Sequence, residues 1–152
     1  MIELLQQKNI AEAVLVGECL HSESIWSHLS FDRLYGTKYS ELMINNPQHG
    51  FILVYKHEDK IIGGLVGVVN SFPFSQDKYS DVYILFLKKE FRRGFAGPML
   101  MYKYIEEAKK RNVKEIRAGV NNPNPLFREK VEGMYASIGF TECGSSWVIN
   151  NQ

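Results

Sequence analysis

Two hydrophobic spacings alternate along the chain. Residues 82–87, Val-Tyr-Ile-Leu-Phe-Leu, form an unbroken apolar and aromatic run, which predicts a strand buried on both faces. Over residues 98–111, Met101, Tyr104, Ile105 and Ala108 share one helical face, so a long helix follows that strand. Upstream, Ile10, Val14, Gly17 and Leu20 mark one side of a helix over 9–20 with Asn9 as its cap. A shorter helix is expected over 39–45, stopped before Asn46-Pro47. Residues 51–56 and 61–70 read as strands joined by His57-Glu58-Asp59-Lys60 in a hairpin. Gly63, Gly64 and Gly67 within the second strand predict a bulge or close packing by another segment.

Ile2 and Leu4 alternate as an edge strand, and residues 113–120 alternate again. Residues 126–137 suit a helix, with strands expected at 139–140 and 146–150. The expected order is β-α-α-β-β-β-α-β-α-β-β. It gives an α/β (α+β) domain over residues 1–152, with a mixed, mostly antiparallel sheet and helices on both faces.

Charge and composition narrow the function. With 18 Lys and Arg against 17 Asp and Glu, the net charge of +1 implies no nucleic-acid partner. No apolar run reaches membrane-spanning length and no leader pattern opens the chain, so a cytoplasmic protein without a membrane partner is expected. Cys19 and Cys143 are expected as reduced, buried, small apolar side chains. His21, His28, His49 and His57 lack the paired spacing of a metal site, so no metal is expected.

The chemistry concentrates between the apolar strand and the long helix, at Phe91-Arg92-Arg93-Gly94-Phe95-Ala96-Gly97-Pro98. The first amides of a helix have no intrahelical partner, and the helix dipole makes that end partly positive. Gly94 and Gly97 permit unusual backbone angles and a close ligand approach, and Ala96 is nearly as small. Pro98 suits a first helical turn. With the charges of Arg92 and Arg93, the segment is a candidate pyrophosphate cradle. A solvated basic turn is the plainer alternative.

This segment resembles the acetyl-coenzyme A motif of the GCN5-related N-acetyltransferases (GNAT), Arg/Gln-x-x-Gly-x-Gly/Ala. Gly94-Phe95-Ala96 fits its second half, while its first position falls on Phe91, with Arg92 one place later. Either arginine is thus left open as the phosphate contact. The variant Glu-Phe-Arg-Arg-Gly-Phe-Ala-Gly is similar to a subgroup found in phage and bacterial genomes. Tyr135-Ala136-Ser137-Ile138-Gly139-Phe140 resembles a second family motif, Tyr-x-x-x-Gly-Phe.

The resemblance implies an acetyl-CoA-dependent N-acetyltransferase, moving an acetyl group from the thioester to a primary amine by direct attack. It places the coenzyme along Leu85, Phe86 and Leu87 and across residues 92–98. It implies that Tyr135 protonates the departing thiolate, since a phenol is protonated at neutral pH. The family's Asn seven residues before the tyrosine is replaced here by Arg128, and Asn124 is the candidate substitute. Three residues compete as general base: Asp81, near the acidic position of relatives, and His21 and Glu23 in a His-Ser-Glu-Ser sequence. The plainer alternatives are a strand-end turn residue for Asp81 and a solvated loop for His21 and Glu23. The acceptor is a small-molecule or protein amine, and a dimer through a sheet edge or the last strand is left open. The alternative function is a non-catalytic acyl-CoA-binding or regulatory domain on the same fold.

Overall fold

Glu58 and Asp59 both take left-handed backbone angles, φ 50° and 61°. That is the two-residue turn whose twist matches a hairpin. It joins β2 (Gly50–His57) to β3 (Lys60–Ser71), the centre of a five-stranded sheet in the order β1-β2-β3-β4-β5. β1 (Ile2–Leu4) and β4 (Lys78–Leu87) complete the antiparallel part. β5 (Glu115–Ile116) runs parallel to β4. This computed structural model describes residues 1–122 and 124–151.

Contacts divide the chain into two compact units, Met1–Asn121 and Asn122–Gln152. The sheet and the helices α1 (Ile10–His21), α2 (Arg33–Asn45) and α3 (Ala96–Lys109) belong to the first. α4 (Pro125–Ile138) is the single regular element among the described residues of the second.

Period-two alternation sorts the central strands into two faces. Ile52, Val54, Val66 and Val68 pack with Ile10, Ala13 and Val14 of α1 and Met43 of α2. On the other face, Phe51 stacks on Tyr104 of α3, with ring centroids 5.9 Å apart. A side chain at Gly67 would meet both rings, at 2.8 Å and 3.1 Å. Close packing by another segment is therefore the reason for this glycine. The register slip opposite Val66 and Gly67 puts its extra residue, Tyr83, in β4, while β3 itself bulges at Ile62, beside Gly63.

Several expectations change. β4 is not buried on both faces: Tyr83 and Ile84 are exposed, because the strand beside β4 is only two residues long. α2 begins at Arg33, since Asp32 Oδ1 accepts the Tyr35 amide at 2.9 Å. Its first turn escaped the hydrophobic pattern because Leu34 and Tyr35 face solvent. Asn9 does not cap α1; its side-chain oxygen accepts from Lys56 Nζ instead. Cys19 and Cys143 are free but exposed, Cys19 because it lies off the buried stripe of α1. Residues 139–151 form no strand, and Trp147, Val148 and Ile149 lie in solvent. A strand needs a neighbour for its amides, and the described residues of the second unit contain none. No described helix is long and apolar enough to cross a membrane.

The end of α3 is fastened by charge. Glu107 is buried and accepts from Arg111 Nη1 at 3.0 Å and Lys110 Nζ at 2.8 Å. Arg111 also donates to the Pro47 carbonyl at 2.6 Å and lies 4.3 Å above the Phe51 ring. Burial pushes the Glu107 carboxyl up, but the bonds from Lys110 and Arg111 outweigh it and hold it below the ordinary carboxylate range. A carboxylate depressed in the folded state stabilises above its unfolded pKa, and that contribution is lost as pH falls through its folded value. Arg111→Ala should cost about 3 kcal/mol in urea unfolding, the usual consequence of stranding a buried partner. Glu107→Gln should remove part of the loss of stability on acidification. An Arg111→Ala protein with wild-type stability would show that the clamp contributes nothing.

Candidate active site

β4 carries the candidate site because its two edges differ. Against β3 it is paired along its length, with Tyr83 as the extra residue of the bulge between Val82 and Ile84. On the outer edge, among the described residues, only Tyr79 and Ser80 pair, with Glu115 and Ile116. The amide of Lys88 donates to the Ile62 carbonyl at 2.9 Å, so residue 88 points its backbone toward β3. Alternation then turns the backbone groups of Leu85 and Leu87 to the outer edge and those of Phe86 to β3. Of the three residues expected along a coenzyme arm, Leu85 offers free-edge backbone, Leu87 offers only its amide because its carbonyl accepts from Arg92 Nε, and Phe86 offers none.

Beyond β4 the chain makes a short 3-10 turn, Lys89–Phe91, and enters α3 at Ala96, two residues before the expected start. Pro98 still falls in the first turn, where no N–H is required. No side chain caps this helix start, and no acidic residue occupies its first turn. The unpaired amides and the positive end of the dipole remain available there. Gly94 does not use the positive φ that glycine permits. A side chain there would meet no protein atom within 4 Å, so the space beside it is open.

The two arginines separate. Arg92 Nε donates to the Leu87 carbonyl at 2.7 Å, and its Nη2 reaches Glu23 Oε2 at 3.3 Å. Lys89 Nζ lies 3.9 Å from the same carboxylate. Arg92 thus ties the α1–α2 loop to the end of β4. Arg93 is exposed and forms no ion pair among the described residues. Two glutamate-seeking cations and one free one stand beside an uncapped helix start, an arrangement that fits a diphosphate.

The base candidates occupy different places. His21 is the last residue of α1 and its ring tilts against Phe31 at 5.4 Å. Glu23 is committed to Arg92 and Lys89. Asp81 lies in β4 on the other side of the bulge, across from Val68. Burial raises its carboxyl above the usual carboxylate range, opposed by the Val82 backbone hydrogen bond and the Arg117 charge. Arg117 itself pairs with Glu115 at 2.8 Å and lies 4.3 Å above the Tyr79 ring. At about 3.3 Å per residue, Asp81 is roughly 20 Å from Leu87 and roughly 13 Å from Leu85. Glu23 and Asp81 therefore cannot serve the same reacting atom.

In the second unit, Asn124 caps α4: its Oδ1 accepts from the Leu126 amide at 3.0 Å and the Phe127 amide at 3.4 Å. Tyr135 is buried, with its ring 5.5 Å from that of Phe140. Gly139 ends α4 at φ 113°, and the Phe140 amide returns to the Tyr135 carbonyl at 3.0 Å. The Tyr-x-x-x-Gly-Phe spacing is thus also a helix-ending motif. Sequence reading passed over Lys89, Tyr39, Tyr83 and Arg117. No local pattern marks them, since each matters through neighbours distant in the chain. Among the described residues no group of three or more His, Cys, Asp or Glu could hold a metal ion.

The model of the Acetyltransferase (GNAT) family matches residues 18–140, a span that runs through both units. No curated protein matches the chain in sequence. Among solved structures it is similar to a GNAT family acetyltransferase of Staphylococcus aureus, 18% identical with a TM-score of 0.72 over 99% of this chain and 98% of that one. A ribosomal-protein-alanine N-acetyltransferase of Brucella melitensis is 15% identical, with a TM-score of 0.74 over 99% and 98%. An aminoglycoside acetyltransferase from an uncultured soil metagenomic sample is also 15% identical, with a TM-score of 0.74 over 100% and 98%. At these identities the structures attest the fold; the family match, over more than half of the chain, settles membership. The protein belongs to the GNAT acetyltransferase family.

Proposed function

We propose that the protein is an acetyl-CoA-dependent N-acetyltransferase that transfers the acetyl group directly to a primary amine. The observation that carries this reading is the uncapped start of α3 beside Arg93, at the end of a strand with a free edge. Neighbours named as a ribosomal-protein-alanine N-acetyltransferase and an aminoglycoside acetyltransferase support an amine acceptor.

Each task falls to a residue. The amides of residues 95–97 and the Arg93 guanidinium hold the diphosphate. The outer-edge amide of Leu87 donates to the amide-bearing arm. Leu85 is nearer to Asp81, so its amide is the one assigned to the thioester oxygen, where negative charge develops. Bound acetyl-CoA supplies an acyl group on a good leaving thiolate. Asp81 takes the proton of the attacking amine through water, as its raised pKa makes it a stronger base than an ordinary carboxylate. As the N–C bond forms and the C–S bond breaks, Tyr135 gives a proton to the sulfur; this role rests on the motif. Glu23 holds Arg92, and His21 supports that loop.

The arginines give a direct test by calorimetry. Arg93→Ala should raise the Kd for acetyl-CoA about tenfold, the loss of one charge-assisted contact, with little change in Tm. Arg92→Ala should lower the Tm by about 3 °C instead, because it unties the α1–α2 loop. Equal affinity in the Arg93→Ala protein would remove Arg93 from the cradle.

The proton roles are separable by pH profile. In the wild type, kcat/KM should rise with pH through the raised pKa of Asp81, because the charged form is the base. Asp81→Asn should flatten that limb and cost about 100-fold or more, and Tyr135→Phe a comparable factor. Unchanged profiles in both variants would exclude them. Acetyl-CoA binding without transfer to any amine would favour the non-catalytic reading.

A further inference from the structure

We propose that the acceptor side of this enzyme, framed by Tyr35 and Tyr39 of α2 with Tyr83 and Asp81 of β4, selects a primary amine carried on an aromatic or apolar body over a polycation. This rests on the acetyltransferase reading above and adds the class of acceptor.

The first observation is a convergence of tyrosines. Tyr35 and Tyr39 are four residues apart and so share one face of α2. Tyr83 is the bulge residue of β4, and Tyr39 packs against the core cluster that holds Val66 and Val68. Asp81 and Ile84 lie opposite Val68 and Val66, which belong to the sheet face packed on α1 and α2. Tyr35 is 70% exposed, Tyr83 56% and Ile84 43%. An open face of this kind, beside the candidate base, offers ring surface to an apolar body and π-faces to an ammonium.

The second observation is the charge balance of the same region. A polyamine or amino sugar with several ammonium groups needs several free carboxylates. Here Glu18 is paired with Arg33 at 2.7 Å, and Glu23 with Arg92 and Lys89. Asp32 is engaged by the Tyr35 amide as the cap of α2. Asp81 is left for the attacking amine, since the Arg117 guanidinium bonds to Glu115 instead. The other carboxylates around the face are thus already matched by the protein's own cations and amides. A polycation would have to displace them, whereas a single amine on a ring system would not.

The test uses the full chain with acetyl-CoA and four acceptors: phenethylamine, tryptamine, spermidine and kanamycin. We expect kcat/KM for the two arylalkylamines to exceed those for spermidine and kanamycin by about tenfold or more. Tyr35→Ala should raise the KM for phenethylamine about tenfold, leaving kcat and the Kd for acetyl-CoA unmoved, and Tyr35→Phe should restore the wild-type KM. A preference for spermidine or kanamycin, or no turnover of either arylalkylamine while acetyl-CoA still binds, would overturn the acceptor class and leave the coenzyme reading standing. Absence of acetyl-CoA binding in calorimetry would instead bring down the acetyltransferase reading, and this inference with it.

Discussion

Backbone groups left without a strand partner are the constraint on which the candidate site depends. A strand in a sheet normally exchanges hydrogen bonds on both edges, and a helix start is normally capped. β4 lacks a neighbouring strand past Ser80 among the described residues, and α3 opens without a side-chain cap. β5 is two residues long, and Phe95, the residue before α3, has no side-chain oxygen to accept from the first helix amides. Folding therefore leaves two separate sets of backbone donors, the outer-edge amides of Leu85 and Leu87 and the first amides of α3, with the bonded amides of Lys88, Phe91 and Arg92 between them, and such donors favour ligands rich in amide and phosphate oxygen.

Arg92 braces the end of β4. Its guanidinium has five donors in a fixed fork, suited to spanning a carbonyl and a carboxylate at once. By holding Leu87 and Glu23 together it fixes the end of β4 relative to the loop after α1. The adjacent Arg93 stays in solvent, so two neighbouring residues of one type divide into a structural and a free cation. That division cannot be read from the sequence, where they are equivalent. It depends on where Glu23 lies, 69 residues earlier in the chain.

The sequence was legible where periodicity was strong. The hairpin at 57–60, the buried face of α3 and the junction between β4 and α3 emerge from spacing alone, because each is local. Element order as far as α4 and the family also followed, since two motifs at the right separation resemble known acetyltransferases. Burial of β4 on both faces did not follow, because an apolar run shows what a strand can pack against and not how long its neighbour is. The first turns of α2 were hidden by exposed Leu34 and Tyr35. The alternation at 146–150 suggested a strand that has no partner among the described residues of its unit. The base could not be ranked from sequence either. Distance along β4 from Leu85 and the commitments of Glu23 are properties of the folded chain.

One criterion separates structural from chemical residues here. Gly67 is explained by folding, since any side chain would strike Phe51 and Tyr104. Gly139 is explained by its left-handed φ, and Arg92 by its two bonds. Gly94 and Arg93 are explained by neither. The space beside Gly94 is open, its backbone is ordinary, and Arg93 engages no acid among the described residues. A sequence settles on a flexible glycine and an exposed cation beside bare helix amides at a cost in chain entropy and solvation. Under the function proposed above, both residues serve an anion, the ligand that bare helix amides and an exposed guanidinium fit.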